Sequence, residues 1–79
     1  MLQQITKSDS LARFYAGENI FKEGQAPSEA YLIKTGTVEL YIFRDGKRVL
    51  IDTLSAGQSF GEIGIMINQP REMNACATT

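Results

Sequence analysis

Histidine and tryptophan are absent from this 79-residue chain, and cysteine occurs once. Without histidine no Ser–His or Cys–His pair can activate a nucleophile. Cys76 alone leaves a zinc site with too few soft ligands. A pair of carboxylates could still move protons, but no second acid stands near Glu62 in sequence, so the chain reads as non-enzymatic. A single cysteine makes no internal disulfide, which points to a reducing cytoplasm. The longest apolar run, Ile63 to Ile67 counting Gly64, is far short of the ~20 residues a membrane-spanning helix needs. Met1-Leu2-Gln3-Gln4 lacks the basic start and apolar stretch of a secretory signal. Neither sign of charge is in excess: eight basic and nine acidic residues leave a formal charge of −1. With no basic face and no helix-turn-helix pattern, nucleic acid is not an expected partner.

What is present is turn chemistry at regular intervals between short β-prone runs, the pattern of an all-β chain. Strands are expected at Leu11–Tyr15, Glu18–Lys22, Ala30–Lys34, Thr37–Arg44, Lys47–Leu54 and Arg71–Thr79, with Glu23–Glu29 as a loop because it holds Gly24 and Pro27. Val38, Leu40 and Ile42 share one face of their strand, and Glu39, Tyr41 and Phe43 the other. Asp45-Gly46 between two alternating runs is a hairpin signal, since a type I′ turn needs positive φ at both central residues. Helix is expected only at Glu62–Ile67 and as a weak turn near Thr6–Ser10. About seven or eight short strands cannot lie flat without exposing an apolar face. They are expected to close into one small sandwich or jelly roll spanning residues 1–79. Aromatic residues Tyr31, Tyr41 and Phe43 fit cross-strand packing, and Cys76 a buried or edge thiol.

The densest chemistry lies in Phe60-Gly61-Glu62-Ile63-Gly64 and the following Pro70-Arg71. Glycines at 61 and 64 let the backbone approach a ligand and take positive φ. If Glu62 opens a helical turn, the free N–H groups there favour an anion. Arg71 brings a planar fork suited to two oxygens of one phosphate, and Glu62 could accept hydrogen bonds from sugar hydroxyls. The same two side chains could instead form a structural ion pair closing the roll.

These segments resemble the cyclic nucleotide-binding domain family. Gly17-Glu18-Asn19-Ile20-Phe21-Lys22-Glu23-Gly24 is similar to its early strand and turn, and Tyr31 to Glu39 to its central strand pair. Leu54 to Glu62 with Pro70-Arg71 resembles its phosphate-binding cassette. The likeness covers roughly residues 12 to 77 and implies a β-roll with one short helical turn in the cassette. It implies binding of cAMP or cGMP without chemistry or cofactor, and a signal passed to an attached or partner effector. Residue by residue, it implies that Arg71 pairs with the phosphate and Glu62 accepts the ribose 2′-hydroxyl beside Gly61. The N–H groups of Ile63 or Gly64 and of Glu72 would donate to the phosphate, and Ile51 would pack on the sugar or base.

Three departures stand out. Glu72 replaces a small or hydroxyl residue beside the phosphate, where like charges repel by several kcal/mol at an effective dielectric of about 20. It must turn to solvent, pair with Arg71 or meet a donor on the base. Met73-Asn74 replaces a small residue and a hydroxyl residue, so base preference is not readable. The chain ends at Thr79, where the family continues into a strand and lid helices. A longer parent protein, or a second copy covering the open edge, is therefore expected. The rival reading is a β-roll that binds no nucleotide and serves as an interaction scaffold.

Overall fold

The computed structural model describes residues 2–7, 10–27, 29–62, 66 and 68–78, with backbone only for residues 2–7, 10 and 11. Eight strands follow in order: β1 Leu2–Lys7, β2 Ser10–Tyr15, β3 Asn19–Phe21, β4 Tyr31–Thr35, β5 Thr37–Arg44, β6 Lys47–Ser55, β7 Ser59–Phe60 and β8 Asn74–Ala77. They form two four-stranded sheets, β2-β1-β4-β7 and β3-β8-β5-β6, with antiparallel pairing throughout. This is the all-β sandwich expected from turn spacing. Among the described residues no helix is long and apolar enough to cross a membrane.

The core lies between the sheets: Phe21, Tyr31, Ile33, Val38, Leu54, Phe60 and Ala75 are buried together, with Phe14, Ile20 and Leu40 packed at the margin. Ala75 and Ala77 on β8 are fully buried. The Asp45-Gly46 turn has φ of 53° and 76°, the two positive values that a type I′ hairpin requires.

Four expectations are corrected. The weak helical turn near Thr6–Ser10 does not form: Thr6 pairs with Leu11 and Lys7 with Ser10 in a β-hairpin, and β1 also pairs with β4. The strand expected from Arg71 begins only at Asn74. Arg71 is diverted because its N–H donates to the Gln25 carbonyl and its carbonyl accepts from the Gly24 N–H, both at 2.8 Å. Ser59-Phe60, outside the expected strands, forms β7 against Tyr31 and Leu32. Cys76 is half-buried on β8, between β3 and β5, rather than on an edge.

One irregularity shapes the concave side. Leu40 pairs with Asp52 but Tyr41 pairs with Leu50, so Ile51 is the extra residue of a bulge in β6. A bulge breaks the alternation of side chains. Ile51 and Asp52, adjacent in sequence, therefore both line hollows on the same side of the molecule. The outer face of the hairpin is closed by side chains. Arg48 stacks over the Tyr41 ring at 3.9 Å and pairs with Glu39 at 2.8 Å, Phe43 meets Tyr41 edge-on, and Asn19 Nδ2 donates to the Tyr41 hydroxyl.

Candidate functional site

Arg71 is 6% exposed, an unusual place for a guanidinium unless its donors are used. Its Nη1 donates to the Gly61 carbonyl at 2.5 Å and its Nη2 to the Glu29 carbonyl at 2.6 Å. The guanidinium carbon lies 4.2 Å above the centroid of the Phe21 ring. That ring packs against Tyr31 and Phe60, with centroids 6.1 and 6.0 Å away, and Tyr31 stacks on Phe60 at 5.2 Å. An aromatic cluster thus floors the seat of a buried cation. Among the described residues two of the five guanidinium donors are used by main-chain oxygens, which leaves three for a ligand.

Gly61 is required at this point twice over. Its φ is +84°, and a Cβ there would stand 3.0 Å from Arg71 Nη1 and 3.4 Å from both Phe21 and Tyr31 ring carbons. A side chain here would push the guanidinium back by a few tenths of an ångström, so glycine lets the carbonyl and guanidinium meet this closely.

Arg71 borders two adjoining hollows that share Pro70, Arg71, Glu72 and Met73. The first, about 300 Å³, also has Glu62, Gly61, Asp52, Leu40 and Leu54 on its walls. The second, wider one of about 590 Å³ has Ile51, Ile42 and Arg44. The sequence-expected residues Gly61, Glu62, Arg71 and Glu72 are therefore brought together around the first hollow. Ile51 stands over its neighbour, with Arg71 and Glu72 common to both. Ile63 and Gly64 lie outside the described residues; Glu62 and Met66, on either side, are helical.

Both acids of the rim are exposed, and among the described residues no ion pair joins Arg71 to Glu62 or to Glu72. The structural ion pair is thus not what holds the roll closed. Glu72 is at the rim, in water, leaving the guanidinium to its carbonyl partners.

Sequence reasoning missed three contributors. Asp52 reaches the first hollow only because of the β6 bulge. Asn74, considered only for its bearing on the base, is buried and structural: its Oδ1 accepts from the Glu23 N–H at 3.0 Å and its Nδ2 donates to the Tyr41 carbonyl at 3.3 Å. It ties the turn that holds the Arg71 backbone to β5. Tyr31 is the third. Burial, then the Glu29 charge, push its phenol above the usual value near 10, while Arg71 pulls the other way.

The cyclic nucleotide-binding domain family matches residues 11–79 of the chain. The cAMP-dependent protein kinase type II regulatory subunit of Drosophila melanogaster is 39% identical over 62 residues, 78% of this chain and 16% of that protein. Potassium channel KAT3 of Oryza sativa subsp. japonica is 30% identical over 70 residues, 89% of this chain and 14% of the channel. Among solved structures, the cAMP-bound form of the EAL enzyme Bd1971 superposes with a TM-score of 0.79 at 30% identity, covering 94% of this chain and 18% of that one. Its cGMP-bound form gives the same values. The chain thus spans less than a fifth of the length of each of these relatives.

Proposed function

The chain belongs to the cyclic nucleotide-binding domain family, and from that membership we propose that the hollow between Glu62 and Arg71 takes a cyclic nucleotide monophosphate. The observation that carries this reading is the seat of Arg71: a buried guanidinium, held by two main-chain oxygens, bordering a cavity that Glu62 also lines. Its spare donors meet the phosphate. Glu62 accepts the ribose hydroxyl beside Gly61, and the amides of Ile63 or Gly64 and of Glu72 supplement the phosphate contacts. Ile51 and the second hollow receive the sugar edge or base. Because the guanidinium is already fixed, little side-chain freedom is lost on binding, which favours affinity.

Binding involves no bond making or breaking in this reading. Nucleotide held between Gly61 and Arg71 biases whatever is attached, in cis or from a partner, through its differential affinity for two states. The chain is read as the β-roll of a longer regulatory protein that works in a reducing compartment, the cytoplasm. Either cAMP or cGMP fits this reading, since the EAL enzyme Bd1971 has been solved in a cAMP-bound and in a cGMP-bound form.

Titration calorimetry with cAMP and with cGMP tests the proposal. Saturable binding of at least one nucleotide is expected, and its loss in Arg71→Ala. Heat that survives in that variant, or no heat with either nucleotide in the parent chain, refutes it. The rival scaffold reading draws on Glu72, a carboxylate at the rim of both hollows. If Glu72→Ala creates binding absent from the parent, the native chain has lost its ligand and the scaffold reading holds.

A further inference from the structure

We infer that Phe21 is a positioning residue for this site: the face of its ring holds the Arg71 guanidinium at the tilt and depth from which its spare donors reach a phosphate. The inference rests on the reading of Arg71 as the phosphate-binding group. The guanidinium carbon stands 4.2 Å from the ring centroid, well within the ~6 Å over which a cation is drawn to a ring face. Both residues are 6% exposed, so the attraction acts where water competes little.

Geometry separates this role from ordinary core filling. All guanidinium donors lie in its own plane, so a ring on its face uses none of them. The Gly61 and Glu29 carbonyl oxygens fix two nitrogens, but two bonds still allow the group to rock about the line joining them. The ring removes that freedom. Phe21 itself cannot drift, because Tyr31 and Phe60 pack on it and its strand position is paired with Ala75. An aliphatic residue would fill the same volume without offering a negative face.

Replacing Phe21 by phenylalanines of increasing ring fluorination tests this, since fluorine drains the face of negative charge with little change in size. The Kd for the nucleotide bound by the parent is expected to rise step by step, by roughly tenfold at full fluorination. Phe21→Leu should weaken binding to a similar degree. Circular dichroism of each variant verifies that the roll is retained. A Kd that is flat or falls across the series, with the roll retained, overturns the role of Phe21 alone. Absence of cAMP and cGMP binding in the parent overturns the reading of Arg71, and this inference with it, before any variant is made.

Discussion

Gly61→Ala probes the seat of Arg71 by adding one methyl group. At φ +84° a Cβ is strained whatever the space, at a cost of about 1–2 kcal/mol. The new methyl also stands 3.0 Å from Arg71 Nη1, so the guanidinium must retreat and its bond to the Gly61 carbonyl weakens. A hydrogen bond to a charged group contributes about 1.5–3 kcal/mol, and losing much of it brings the total to roughly 2–4 kcal/mol. In a domain of this size that lowers the thermal midpoint by on the order of 10 °C or more. Nucleotide affinity falls as well, because the donors are displaced. Gly57→Ala is the matched control: its φ is +91°, but nothing lies within 4 Å of the added carbon. It should carry the backbone cost alone and leave affinity intact. Thermal unfolding by circular dichroism and calorimetric titration of both variants provide the comparison. Equal midpoints and equal affinities for the two would refute the argument that Gly61 is needed for Arg71.

Three further outcomes are expected. Glu72→Gln leaves stability unchanged, since the side chain is exposed, but tightens nucleotide binding by about threefold, from ~0.7 kcal/mol of repulsion at ~6 Å in a water-like dielectric; added salt should narrow the gap between the two titrations. Asn74→Ala strands the Glu23 N–H and the Tyr41 carbonyl and should cost about 2–4 kcal/mol in urea unfolding. Tyr31 has a folded-state pKa raised by burial, so its share of stability is complete below pH ~10 and is lost as pH climbs through the folded value. Tyr31→Phe should therefore show a shallower alkaline fall in urea midpoint than the parent.

Local chemistry made much of this fold readable. Asp45-Gly46 announced its hairpin because a type I′ turn leaves few choices of residue, and β5 and β6 follow from the alternation on either side. Glu62 and Arg71 could be singled out together because their segments resemble a phosphate-binding cassette, and both line the first hollow. β1 was not legible: Leu2–Lys7 carries Gln3 and Gln4 and alternates poorly, and it is a strand because β2 and β4 pair with it on both sides. The bulge at Ile51 was hidden for a related reason. Register is a property of two strands, and neither strand alone marks the skipped residue. Asp52 entered the cavity wall unannounced in consequence. Burial of Arg71 also escaped the sequence, because a charged residue is expected outside until the carbonyls that receive it are placed. Glu72 changed weight between sequence and structure: water at the rim screens a charge that would repel far more strongly in a desolvated pocket.

Diffraction from crystals grown with cAMP or cGMP decides whether the two hollows are the nucleotide site. The account expects the phosphate against the Arg71 guanidinium, with the ribose hydroxyl against Glu62 and the base toward Ile51. Nucleotide density elsewhere on the roll, with Arg71 still bonded only to the Gly61 and Glu29 carbonyls, would contradict it.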